Sequence, residues 1–249
     1  SVLKKTDAQK KLHDANKQLD SFNNDLEKLV AEKVDELQKV NRLRRFFSPQ
    51  VVEKYLTEDA QDILKSRLST VSVVFLDLRN FTSFSEAHTP EAVMDFLAKF
   101  HQLIGPIIFK HEATLERFTG DGLMCFFGAP TACSDHAERA VRMSIELQKA
   151  FNQAYEKWDT GNLDMHLGIG IASGDTATGV IGFEGRLDYA AIGSTTNLAA
   201  RLCGKADGQA ILIAAETYEK LPIGISATHV ESFTAKGFSK KIDAYEISY

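Results

Sequence analysis

The chain has 249 residues, 44% of them hydrophobic and 25% charged. That balance is ordinary for a folded domain with a sizeable core and excludes a disordered polymer. The formal net charge of −5 excludes a general nucleic-acid binder, which would carry a basic excess or stripe. No apolar run approaches the roughly 20 residues that span a bilayer, and no basic-then-apolar leader stands at the start. Cys125, Cys133 and Cys203 have neither metal-ligand spacing nor an even count. They fit a reduced, cytoplasmic setting as plain packing residues. A first residue that is Ser1 rather than methionine leads to the expectation of a piece of a longer protein.

Residues 1–46 hold many charged and amide side chains, no Pro or Gly, and sparse apolar positions, which predicts one long polar helix. Leu12, Leu19 and Leu26 recur every seven residues, with Ala15, Phe22 and Leu29 three further on. This is the seam of a coiled coil and implies a dimer. The pattern then slips to Val30, Val34 and Leu37, as in a locally adjusted supercoil. Arg42, Arg44 and Arg45 precede Phe46-Phe47-Ser48-Pro49, where proline disfavours helix in the residue before it. A linker over 47–69, with a short helix from Pro49 to Leu56, leads to a domain over 70–249.

In that domain the elements alternate. Val71 to Leu76 reads as a buried central strand. Thr89-Pro90-Glu91 opens a helix whose apolar face includes Phe96, Phe100 and Ile104. Two strands, Thr114 to Phe118 and Leu123 to Phe127, flank the hairpin signal Gly120-Asp121-Gly122. A helix from Ser134 to Trp158 follows, then strands His166 to Ala172 and Thr176 to Phe183 around a turn at Ser173-Gly174-Asp175. A short helix from Thr195 to Cys203 and strands near Ala210–Ile213, Ile225–Phe233 and Ala244–Ile247 close the chain. The order predicts an α+β fold with a ferredoxin-like β-α-β-β-α-β core, helices on one face of a mainly antiparallel sheet, and additions at the C-terminus.

Chemistry concentrates at two carboxylates. Asp77 ends an otherwise apolar strand, where it is either a buried liability or a ligand. The turn after it offers successive backbone N–H groups suited to phosphate oxygens. Asp121 lies at the tip of the hairpin. Each alone is equally well read as a turn or capping residue. If their strands are neighbours, both reach one edge of the sheet, and two carboxylates beside a phosphate cradle suit magnesium.

Phe75-Leu76-Asp77-Leu78-Arg79-Asn80-Phe81-Thr82, Phe118-Thr119-Gly120-Asp121 and the run Tyr189 to Leu202 resemble the two metal motifs and the transition-state motif of the class III nucleotidyl cyclases. The likeness covers about Val71 to Ile247, and the polar helix before it resembles the dimeric signalling helix of such proteins. The resemblance implies cyclisation of a nucleoside triphosphate substrate by attack of its 3′-hydroxyl on the α-phosphorus, with two Mg2+ or Mn2+ ions per site stabilising attacking and leaving oxygens. Asp77, Asp121 and the Leu78 carbonyl would hold the ions, and the N–H groups of Asn80, Phe81 and Thr82 the β and γ phosphates. Asn197 would orient the ribose and Arg201 the α-phosphate charge; they stand four apart, on one helix face. Lys236, or Lys240 or Lys241, and Arg186 are candidate phosphate contacts. The family's sites form between head-to-tail domains, so the expectation is a homodimer with two sites, driven through the helix by a sensor upstream.

The base-reading positions depart from the family. The lysine that selects adenine is Arg117 here, and its acidic or hydroxyl partner is Ala190. Strand alternation turns only one of Glu116 and Arg117 inward, and register favours Arg117. By analogy with bacterial relatives of this layout, where ATP is the commoner substrate, the resemblance implies ATP to cyclic AMP, with GTP to cyclic GMP as the alternative, a pyrimidine triphosphate open, and an inactive nucleotide-binding module as a third reading. The diguanylate cyclases' Gly-Gly-Asp/Glu-Glu-Phe run is absent.

Overall fold

The structure, a computed structural model, describes residues 2–43, 48–57, 65–158, 164–183, 186–239 and 241–249. It divides into two compact units, 1–47 and 48–249.

The first unit is a single helix, α1 (Val2–Leu43). Leu19, Phe22, Leu26, Leu29, Val34 and Leu37 stand exposed along it, forming an apolar stripe. The side chains of Leu12 and Ala15, and residues 44–47 with the predicted boundary, lie outside the described residues.

The second unit opens with α2 (Pro49–Thr57), followed by β1 (Arg67–Arg79), α3 (Phe81–Ala87), α4 (Pro90–Lys110), β2 (Thr114–Phe118), β3 (Gly122–Phe127), α5 (His136–Tyr155) and β4 (His166–Phe183). After them come β5 (Arg186–Ile192), α6 (Ser194–Lys205), β6 (Ile211–Ala214), α7 (Ala215–Tyr218), β7 (Ala227–Phe233) and β8 (Ile242–Ile247). The eight strands form one sheet in the order β2-β3-β1-β4-β6-β8-β7, with β5 paired to β4. All pairings are antiparallel except β4 with β6. The β2-β3-β1-β4 part, with α4 and α5, is the predicted ferredoxin-like core.

Alternation along β1 divides the sheet into two buried faces. Val74, Leu76 and Leu78 point to one side and join Phe96, Phe100 and Ile104 of α4 and Val141, Leu147 and Phe151 of α5. Val71 and Val73 point to the other and join Ala199 and Leu202 of α6. The helix Thr89 caps, α4, is also long and apolar enough by composition to cross a membrane, contrary to the sequence expectation. Its Phe96, Phe100, Ile104 and Ile108 are buried in this core.

The predicted turn at Ser173-Gly174-Asp175 is not a turn. β4 runs unbroken through it, because β1 extends back to Arg67 and pairs Ser72 with Ser173, Val71 with Gly174 and Thr70 with Asp175. Ser72 Oγ lies 2.6 Å from Ser173 Oγ, and Thr70 Oγ1 donates to Asp175 at 2.6 Å. The small polar residues that suggested a turn are cross-strand partners, a tertiary effect that local propensity does not contain. The reversal comes after Phe183, where β5 folds back on β4.

Candidate active site

β1 and β3 place Asp77 opposite Gly122, one residue beyond Asp121. The Leu78 N–H donates to the Asp121 carbonyl at 3.2 Å, and the Thr119 N–H donates to the Gly122 carbonyl at 2.9 Å, closing the hairpin tip. The two carboxylates therefore share one end of the sheet. Burial raises the Asp77 pKa above its ordinary value, and the negative charge of Asp121 adds to the rise; Arg79 opposes both. The donor set suits a hard cation: two carboxylates under mutual repulsion, with backbone carbonyls beside them. Magnesium is commonly held by one or two carboxylates, with waters and substrate phosphates completing its shell.

Asn80, directly after β1, adopts the left-handed conformation (φ 66°) and caps α3, with its side-chain amide donating to the Asp164 carbonyl at 2.7 Å. The first residues of α3 thus follow directly on the end of β1. Phe81 packs into the core, while Thr82 is exposed.

Arg79 is the residue whose part the sequence motif did not reveal. Two residues from Asp77, and so on the same face of β1, it pairs with Asp77 Oδ2 at 3.0 Å through Nη1. Its Nε donates to the Ala206 carbonyl at 2.9 Å, and Nη2 donates to the Cys203 carbonyl. Burial pushes the Cys203 thiol up to about 12, in keeping with a packing role, and Cys125 is likewise buried.

Asn197 and Arg201 project from α6 into solvent, whereas Ala199, Leu202 and Cys203 on the same helix are buried. Asn197 lies 203 − 197 = 6 residues from the turn that touches Arg79, about 9 Å along the axis. Among the described residues no hydrogen bond or ion pair joins Asn197 or Arg201 to Asp77 or Asp121.

At the two positions expected to read the base, the structure departs from simple strand alternation. A β-bulge falls between Leu115 and Arg117, so simple alternation does not decide which side chain turns inward. Glu116 is the enclosed one, with a side chain 3% exposed against 56% for Arg117, and the two pair at 2.6 Å. Glu116 Oε2 also accepts the Ala191 N–H at 3.0 Å, and Thr196 Oγ1 donates to the Ala191 carbonyl at 2.8 Å. Ala190 is buried and offers no polar side chain.

Other candidates stand apart. Lys236 is exposed in the turn between β7 and β8, at the opposite end of the sheet order from β2, and Lys241 is exposed near it. Lys240 and the Arg186 side chain lie outside the described residues. A cleft lined by Arg67, Thr70, Cys133 and His136 lies at the N-terminal end of β1, away from the carboxylates.

A ferredoxin-like sheet with paired carboxylates at one end and exposed Asn and Arg on a following helix defines a class of α+β domain suited to metal-assisted phosphate chemistry. Residues 63–248 match the family model described as the adenylate and guanylate cyclase catalytic domain, and the chain belongs to that family. It is 31% identical over 182 residues to adenylate cyclase 1 of Rhizobium meliloti, covering 71% of this chain and 27% of that protein. The adenylyl cyclase CyaB from P. aeruginosa superposes with a TM-score of 0.71 at 30% identity, covering 75% of this chain and 97% of that one. The guanylyl cyclase Cya2 follows with a TM-score of 0.68 at 29% identity, over 74% and 92% of the two chains. The chain spans less than half the length of the curated relatives it matches. Cyclases of this family bind nucleotide substrates, generally use divalent metal ions, and typically dimerise.

Proposed function

We propose that the chain is the catalytic part of a signal-regulated adenylyl cyclase that converts ATP to 3′,5′-cyclic AMP and pyrophosphate as a head-to-tail homodimer. The observation that carries the reading is the meeting of Asp77 and Asp121 on adjacent strand ends, pinned by the Leu78–Asp121 backbone bond.

Asp77, Asp121 and the Leu78 carbonyl would hold two divalent ions. When bound, such ions lower the cost of charge on the attacking and leaving oxygens. The N–H groups of Asn80, Phe81 and Thr82 receive the β and γ phosphates at the turn after β1. Asn197 and Arg201 of the second copy orient the ribose and meet the charge that grows on the α-phosphate, a matter of position and electrostatics. Their exposure on α6, without a bond to their own metal residues among the described residues, supports a site shared between copies. Lys236 or Arg186 would complete the phosphate contacts. The exposed apolar stripe of α1 supports a parallel coiled coil, which would carry the signal of a sensor upstream.

Adenine is favoured because the Glu116 carboxylate is already engaged by Ala191 and Arg117, leaving Arg117 as the exposed donor for a purine acceptor such as N1. Adenylate cyclases stand among the relatives, beside a receptor-type guanylate cyclase. GTP is the second reading, since Glu116 would accept the N–H groups of guanine if it released Ala191.

Assay of the purified dimer with each of the four triphosphates and Mn2+ tests the reading. Release of pyrophosphate mainly from ATP is expected, and a dominant GTP rate overturns the adenylyl assignment. Asp77→Ala and Arg201→Ala should each be inactive and regain activity when mixed; failure to regain it overturns the shared site.

A further inference from the structure

The Arg79 guanidinium sits between two things the proposed mechanism assigns to different active sites. On one side is Asp77 of its own metal pair, at 3.0 Å. On the other are the carbonyls of Cys203 and Ala206, at the C-terminal end of α6, the helix whose Asn197 and Arg201 would serve the partner's metal pair. The Cys203 carbonyl also accepts the Ala206 N–H at 3.1 Å, and a cation at a helix C-terminus is favoured by the helix dipole.

The local sequence makes room for this bridge. Gly168 lies opposite Asp77 in the β1–β4 register, and a Cβ there would fall 2.2 Å from Arg79 Nη2. Two residues on, a Cβ at Gly170 would fall 2.1 Å from the Cys203 backbone nitrogen. Bare backbone at both positions lets the guanidinium and the end of α6 lie flat on the sheet.

Were Arg79 merely half of an ion pair, it would be worth little, because both partners are partly exposed. Its geometry does more. The planar fork fixes three acceptors at once, which a lysine cannot reproduce. A cation held by Asp77 competes with Nη1 for the same carboxylate, while Nε and Nη2 stay on α6. We infer that Arg79 is a positioning residue that couples metal occupancy at one site to the placement of α6, and hence of Asn197 and Arg201, at the other. This rests on the head-to-tail reading above.

Two measurements on the full chain test it. The first is hydrogen exchange of the nucleotide-free dimer with and without Mn2+. Faster exchange at the Ala206 amide and the last turn of α6 on adding Mn2+ is expected for the wild type, and no Mn2+-dependent change for Arg79→Lys or Asp77→Asn. Unchanged exchange in the wild type, or the same change in Arg79→Lys, overturns the coupling. The second uses mixed dimers with one live site, made from an Arg201→Ala chain, which supplies the metal residues, and an Asp121→Ala chain, which supplies Asn197 and Arg201. Arg79→Ala placed on the Asp121→Ala chain should lower kcat with the Mn2+ dependence unchanged. Placed on the Arg201→Ala chain, it should tighten Mn2+ binding by up to about fivefold, the scale of a partly exposed ion pair. No kcat effect from the first placement overturns the coupling. If instead Asp77→Ala alone retains full turnover, the metal reading falls, and the coupling falls with it; an inactive Asp77→Ala with silent Arg79 variants removes the coupling alone.

Discussion

Glu116 Oε2 accepts the Ala191 N–H at 3.0 Å, joining the hairpin that carries Asp121 to the strand that leads into α6. An apolar replacement would leave that N–H, and the Arg117 fork, without their acceptor. Glu116→Ala is expected to lose about 1–3 kcal/mol in urea unfolding, the cost of a buried donor left unsatisfied. Glu116→Gln keeps an acceptor oxygen and should lose less. Both should change the ratio of ATP to GTP turnover, because Arg117 is freed. Equal stability losses would mean that packing, and not this bond, joins the two elements.

The same carboxyl sets a pH dependence. Burial raises its pKa above 4.5, outweighing the lowering by the Ala191 N–H and by Arg117. A folded-state pKa above the unfolded one means that the native state holds the proton longer. The stability this contributes is complete below pH 4.5 and is lost as pH rises through the raised value. Unfolding free energies measured across that window should fall for the wild type relative to Glu116→Gln. Parallel curves for the two proteins would remove Glu116 as the titrating group.

Gly170 and Gly204 make a matched pair. A Cβ at Gly170 would lie 2.1 Å from Cys203 N and 2.3 Å from the Ala199 carbonyl oxygen, backbone atoms that cannot step aside, while a Cβ at Gly204 meets nothing within 4 Å. Gly170→Ala should lose about 1–3 kcal/mol or more by overpacking and lift α6 off the sheet, lowering kcat more than it raises KM. Gly204→Ala should be neutral or gain up to about 1 kcal/mol, as alanine does within a helix. Chemical denaturation and steady-state kinetics on the two variants read the contrast directly.

The core of the sheet was legible because its signals are local. The apolar strand before Asp77, the Gly120-Asp121-Gly122 hairpin and the Thr89-Pro90 helix start each carry their structure in a few residues. The continuity of β4 is hidden for the opposite reason: Ser173-Gly174-Asp175 has the composition of a turn and is held extended by Thr70, Val71 and Ser72, about a hundred residues away in sequence. The choice between Glu116 and Arg117 rested on strand alternation, which the bulge after Leu115 suspends. Arg79 stood inside a quoted motif without a role, because its partners Cys203 and Ala206 are set by how α6 lands on Gly168 and Gly170.

Asp121→Asn separates a ligand from a scaffold residue. If Asp121 were there to hold the hairpin, its removal would weaken the fold. Its backbone carbonyl makes the bond to Leu78, and an asparagine keeps that carbonyl. Its side-chain charge, second only to burial, raises the pKa of Asp77 above 3.8. A raised folded-state pKa gives stability that is complete below the unfolded value and lost as pH rises through the folded one. Asp121→Asn reduces that loss, so the metal-free variant at neutral pH should melt no lower than the wild type. The response to Mn2+ should move the other way. A ligand that binds only the native state stabilises it by about 2.7 kcal/mol at a hundred times its Kd; the wild type should show a melting shift that grows with Mn2+, and Asp121→Asn should show little or none. A destabilised variant that still responds to Mn2+ would assign Asp121 to the scaffold and leave Asp77 without its metal partner.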